Sequence, residues 1–358
     1  MAASLGYAFY LASSWLWCIG AFLPVLLLRD YGWASLLGFA LVNIGGAAAF
    51  GWVLRPDRQQ AFMARHAFWL EIFSRVTMAY QLFFVVWLSV LISVWLLPLM
   101  LLLATIFYLT GRWSQLLAVG LFLVSLLLFA LYQPQLAVTE QLTLAPGWWH
   151  TLLPLALGFL LSPYLDITFH RALALSPHPR WSFTLGFGLF FLCLLAFVFF
   201  YSQDLRQLMA GGAVQLAVIW PVVAFILLQT AFTLAVHFQE IQRFRPRTRS
   251  GWLLSLVGVL LVFFPLLQAG TSGSLAFLSP GELIYKGFLY AYGLVFPLYL
   301  LLGQNRRLFW LTLLLASPAY ALGFLLGQDY LYFLSLSLLP IVVAGLLRWL
   351  QKPARLFA

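Results

Sequence analysis

Three short spacings in this chain set ionisable side chains where chemistry is commonly done. Glu71 and Arg75 are four residues apart; so are Glu282 and Lys286, and so are Asp166 and His170. On a helix, residues i and i+4 share a face. The first two pairs each bring an acid to a base, with the acid nearer the helix N-terminus, the order the helix dipole favours. The third lies in the stretch SPYLDITFHRALALSPHPR, residues 162–180. It sets a carboxylate beside an imidazole, the combination used by an orienter and a general base. Arg171 follows His170 and points to another side of the same turn. Asn43 is an uncharged candidate in LVNIGGAAAFG, where Gly45, Gly46 and Gly51 let a second backbone come close.

The elements that must hold these groups follow from composition. Of 358 residues, 64% are hydrophobic, 18% aromatic and 8% charged. A soluble domain carries about 25% charged residues, so a water-soluble enzyme is excluded and a bilayer is the solvent. In that solvent an ionisable side chain inside a helix is costly, so each group above is a candidate for function. Each also has a structural explanation, as a tie between helices or as a charge reaching the interface.

The apolar runs predict an all-α bundle of about twelve helices, with eleven to thirteen as the range. They fall at 4–28, 33–54, two within 67–109, then 114–132, 148–163, 181–203, 212–236, 251–269, 282–302, 308–327 and 330–348. The 43 residues of 67–109 would measure about 65 Å as one helix, twice the roughly 30 Å of a bilayer core, so a turn is expected near 89–92. The first run reads as an uncleaved helix, since no basic residue precedes it. The whole of 1–358 reads as one integral membrane domain. Segment 164–180 is expected to be a cytoplasmic linker with a short amphipathic helix, and 237–250 a basic cytoplasmic loop.

The basic residues decide the orientation. With twelve passages and both termini in the cytosol, the cytoplasmic segments hold all of the 19 Lys and Arg except Arg29, Arg75, Arg206 and Lys286. Positive charge prefers the cytosolic side. Eleven passages would set Arg55, Arg58 and Arg65 opposite the later basic loops.

The net charge of +10 does not point to nucleic acid, because the basic residues are scattered between apolar runs. The RFRPRTR loop after His237 and Glu240 suits anionic lipid headgroups. Cys18 and Cys193 lie in apolar runs, and no Cys or His spacing suits a metal, so neither metal nor cofactor is expected. A phosphate-binding loop is missing, which leaves ATP-driven transport by this chain unsupported. No internal repeat stands out.

The expected function is a secondary transporter or permease of a small solute, coupled to protons or sodium through Glu71, Glu282 or Asp166. Helices interrupted by Pro, Gly and polar residues favour it; Pro221 lies between Gln215 and Gln229. One alternative is an integral membrane enzyme acting on a lipid or polyprenyl substrate at the cytoplasmic face, using Asp166, His170 and Arg171. The other is a non-catalytic subunit docked on a partner membrane protein. The short loops suit a bacterial inner membrane, with membrane lipids as partners and no nucleic acid. The stretch DITFHRA resembles a cytoplasmic Asp–aromatic–basic segment of the sodium/solute symporters. The likeness is confined to that stretch, and no residue role is carried over from it.

Overall fold

The chain is a polytopic, all-α membrane protein. The computed structural model describes residues 1–16, 18–134, 144–209, 215–244, 280–325 and 330–351. Among these, eight helices are long and apolar enough to cross a bilayer, and ten if each of two bent helix pairs counts as one span. The helix expected at 251–269 and the arginines 245, 247 and 249 lie outside the described residues.

The first span is broken. Helices α1 (Ala2–Trp15) and α2 (Cys18–Tyr31) meet at a bend of 53°, where the sequence predicts one continuous helix. Next come α3 (Trp33–Val53) and α4 (Pro56–Leu91). The residues left between the apolar runs at 33–54 and 67–109 thus open α4. Pro56 at its first position, with φ preset for a helix, and Asp57 in its first turn start it well ahead of the apolar run. At about 1.5 Å per residue its 36 residues measure about 54 Å, so its first turns project beyond an apolar layer. The turn expected near 89–92 falls between Leu91 and the start of α5 (Leu96–Leu109). Helix α6 (Ser114–Leu131) follows.

A second broken span comes next. Helix α7 (Leu152–Leu161) runs through a tight turn at Ser162–Leu165 into α8 (Ile167–Leu175), the two arms meeting at 60°. Pro163 in that turn and the extended backbone of Asp166 end one helix before the other begins. The short helix expected in segment 164–180 is present, but the first part of the segment is packed inside the bundle, with Asp166, Thr168, Phe169 and His170 all buried, while Ala174, Leu175, Pro177 and His178 are exposed. Apolar residues on nearly every side of α8 account for this.

Helices α9 (Pro179–Leu185) and α10 (Leu192–Met209) are joined by a π-helical turn at Gly186–Phe191. Helix α11 (Leu216–Phe244) continues past the boundary expected at 236, so the first residues of the presumed basic loop, His237 and Glu240 among them, are helical and buried. Helices α12 (Pro280–Tyr290) and α13 (Phe296–Leu302) join through a second π turn at Ala291–Val295. Helices α14 (Arg306–Leu325), α15 (Tyr332–Leu336) and α16 (Leu338–Gln351) complete the chain.

Packing is inverted relative to a soluble protein. Leu102, Leu116, Leu314 and Leu339 stand exposed on the outer surface, while Glu71, Asp166, His237 and Lys286 are buried. Helices α3 and α7 approach closely at Gly46, where an added Cβ would run into the Phe159 carbonyl. Trp15, Phe50, Phe169 and Phe183 form an aromatic centre around the two breaks.

Contacts gather the basic residues at one end of the bundle. Gln59 at the start of α4 donates to the His170 carbonyl, and His66 meets the Tyr299 hydroxyl at 2.8 Å near the end of α13. Arg171 and Arg243 share Glu240, and Arg112 and Arg243 line one open recess. At the opposite end Arg29 meets Glu282, and His150 meets Ser335.

Candidate functional site

The breaks of the two bent spans face each other. Ser14, in the last turn of α1, lies 3.4 Å from the Thr168 hydroxyl in the first turn of α8, and the Trp15 and Phe169 rings meet at 4.7 Å between centroids, tilted by 49°. Asp166 caps α8: its Oδ1 accepts from the Thr168 N–H and from the Thr168 hydroxyl, each at 2.7 Å. Such a cap satisfies donors that the helix start leaves open. Its other oxygen, Oδ2, has no hydrogen-bond partner among the described residues. The nearest basic group is His237 of α11, whose Nε2 is 3.8 Å away; both side chains are fully buried.

More polar atoms collect around this point. The Tyr10 hydroxyl, the Ser13 hydroxyl and both ring nitrogens of His237 are buried and lack hydrogen-bond partners among the described residues. Thr233, one turn before His237, has its hydroxyl 3.2 Å from the Ser13 carbonyl and 3.0 Å from the Gln229 carbonyl. A buried polar group without a partner costs about 1–3 kcal/mol, so a cluster of them marks a place that a solute, an ion or water can occupy.

The sequence candidates divide among three places. Asp166 and Arg171 belong to the cluster at the breaks. Arg171 donates to Glu240 at 2.8 Å and ties α8 to α11. His170 shares their helix and takes no part. Its Nε2 donates to the Tyr164 carbonyl at 2.9 Å, and its ring lies between Phe50 and Phe62. The expected Asp166–His170 pair is therefore absent. Asp166 sits at the cap with extended backbone, so the i,i+4 geometry of a continuous helix does not apply, and its carboxylate turns to Thr168 and His237. Asn43 supports the first break from outside, its Oδ1 accepting from the Trp15 indole N–H at 2.7 Å.

Glu71 and Arg75 form the expected pair on α4, at 2.8 Å, with Glu71 buried and Arg75 partly exposed. Ser74, Thr77 and Gln81 continue from Glu71 as a buried polar stripe along α4. Helix α11, which packs on α4, carries a comparable stripe of Gln229, Thr233, His237 and Glu240.

Glu282 and Lys286 also pair, at 3.3 Å, and Arg29 from the end of α2 joins them. Its guanidinium grips the Glu282 carboxylate with two hydrogen bonds, of 2.6 and 3.0 Å, and reaches Asp30 at 2.9 Å. The Lys286 ammonium lies 5.4 Å over the Phe324 ring. Two acids and two bases thus join α2 to α12 at the end opposite Glu240.

Between these networks lies a small apolar cavity of about 40 Å³, lined by Leu23, Leu27, Gly158, Phe159, Tyr292 and Phe324. It has room for a few water molecules at most.

His237, Tyr10, Ser13 and Thr233 were not singled out from the sequence. The signal for His237 was present: Gln229, Thr233 and His237 recur every fourth residue on an otherwise apolar helix. Tyr10 and Ser13 gave none, because their importance depends on what α8 and α11 bring to them. Among the described residues no group of three His, Cys, Asp or Glu stands close enough to hold a metal ion. Compared with known proteins, the chain matches no family model, no curated protein and no solved structure.

Proposed function

We propose that this protein is a secondary transporter of a small solute, working by alternating exposure of the site between the two helix breaks. One observation carries the reading: two spans are interrupted within the bundle, and their interruptions meet at buried polar atoms without partners. Broken spans free backbone groups and helix ends for a solute or ion at membrane depth, which a protein tolerates only where that backbone lines a cavity or is buried. A purely structural subunit gains nothing from such a cluster.

The ion pairs fit the same account. Arg29–Glu282 pins the outer arm of the first broken span, and Arg171–Glu240 pins the inner arm of the second. Opening either side requires one of these pairs to part. The gathering of Arg55, Arg58, Arg65, Arg171, Arg243, Arg306 and Arg307 at one end supports a cytosolic position for that end and for both termini, in a cell membrane.

The test is uptake by the full chain in liposomes, using a radiolabelled mixture of small metabolites with proton or sodium gradients. Saturable accumulation that an imposed gradient accelerates is the expected result. Chemical turnover of a lipid without net uptake would replace this reading with the membrane-enzyme alternative. Neither uptake nor turnover, with a stoichiometric partner co-purifying, would favour the subunit alternative.

A further inference from the structure

We propose that Asp166 and His237 together hold the proton that couples transport, picking it up on one side of the membrane and releasing it on the other. This rests on the transporter reading above and names its coupling ion.

The pair has the chemistry for one shared proton. Asp166 Oδ1 is committed to Thr168, whereas Oδ2 is uncommitted and its nearest basic atom is His237 Nε2 at 3.8 Å. That is too far for a hydrogen bond, so a small approach of the two helices, or one water, completes it. With one proton the pair is neutral overall, as a carboxylic acid beside a neutral imidazole or as a carboxylate beside an imidazolium. Loss of that proton leaves a bare carboxylate, the state a low-dielectric interior opposes most. Transfer from Oδ2 to Nε2 breaks one O–H bond and makes one N–H bond, with no change in electron count.

The histidine is free to serve. Neither His237 nitrogen is tied to an acceptor among the described residues, so its tautomer is not fixed; His170, by contrast, is fixed by the Tyr164 carbonyl. The pair also joins the moving part to the rest of the bundle, because Asp166 stands at the break of a span and His237 on the continuous helix α11. Separating α8 from α11 separates the two proton holders.

The surroundings favour a proton over a metal cation. Sodium, a hard cation, wants several oxygens, but the group facing Oδ2 is a ring nitrogen. The charged and titratable groups around the pair are accounted for. Tyr10 from α1 lies in the field of Asp166, Glu240 and Arg171, and Tyr292 from the π turn lies in that of Asp166. Arg171 of α8 is held by Glu240 of α11. Helix α4 presents Leu70 against Ile167, its Glu71 being turned to Arg75. On α9, Arg180 lies over the Trp52 ring, and on α5 Tyr108 is held by Gln242.

The test has two arms on the full chain in liposomes. Infrared difference spectra across a pH titration should show a protonated-carboxyl band that Asp166→Asn removes and whose midpoint His237→Gln moves by about 1 pH unit or more. In the uptake assay with the labelled metabolite mixture, a proton gradient should drive accumulation. Asp166→Asn should lose at least about tenfold of that accumulation, a loss of at least about 1.4 kcal/mol of coupling. A band unaffected by either substitution overturns the proposal. Accumulation driven by sodium alone overturns it as well and leaves the transporter reading standing. No uptake under either gradient overturns both.

Discussion

Removing Glu282 should destabilise the protein far more than removing Lys286, and removing both should restore most of the loss. The Lys286 side chain is 5% exposed, and its counter-charge is Glu282 at 3.3 Å. Glu282→Met strands that ammonium over the Phe324 ring and breaks the two-pronged grip of Arg29. Stranding one partner of a buried ion pair costs about 3–5 kcal/mol. Lys286→Met is milder, at about 1 kcal/mol, because Glu282 keeps two hydrogen bonds from Arg29. In the double variant no buried charge is stranded, since Arg29 is 30% exposed and retains Asp30. Its loss should be about 1–2 kcal/mol, well below the sum of the two single losses, which gives a coupling of about 2–5 kcal/mol. Reversible unfolding of the four proteins in bicelles measures it. Additive losses would refute the reasoning, because they would mean that Lys286 does not depend on Glu282 for its charge.

Two further predictions concern the breaks. Gly46→Leu should cost at least about 1–3 kcal/mol or prevent folding, since even a Cβ meets the Phe159 carbonyl, whereas Gly45→Leu, with nothing within 4 Å of its Cβ, should be tolerated; monodispersity after heating distinguishes them. Trp15→Phe should remove the 2.7 Å bond to Asn43 and cost about 0.5–1.5 kcal/mol, a loss that Asn43→Leu in the same chain should largely offset. Equal or greater loss in the double variant would argue against the bond.

Much of the bundle was legible because hydrophobic runs and basic gaps are additive signals. The break at Asp166 was half-visible: a Pro such as Pro163 tends to end a helix, but the polarity of DITFHR suggested a surface position. The opposite outcome has a physical reason. Asp166 Oδ1, the Thr168 hydroxyl and His170 Nε2 find partners within the bundle, at Thr168, Ser14 and the Tyr164 carbonyl, so most of this polarity is met without bulk solvent. The break after Trp15 was invisible, since no Pro or charge interrupts SSWLWCIG. The pairs Glu71–Arg75 and Glu282–Lys286 followed directly from helical spacing. Arg29 did not, because 253 residues separate it from Glu282. His237 was misread as the edge of a loop, because the apolar pattern of α11 gives way to RFRPRTR six residues later.

On the transporter reading, the two helix breaks enclose a site that water reaches from one side at a time. Single cysteines at Ser13 and Thr233, in a chain with Cys18 and Cys193 replaced by serine, test it in sealed vesicles. The account predicts that a membrane-impermeant thiol reagent modifies both positions, and that an imposed proton gradient changes which face of the vesicle admits it. Modification of neither position until detergent dissolves the membrane would contradict the account.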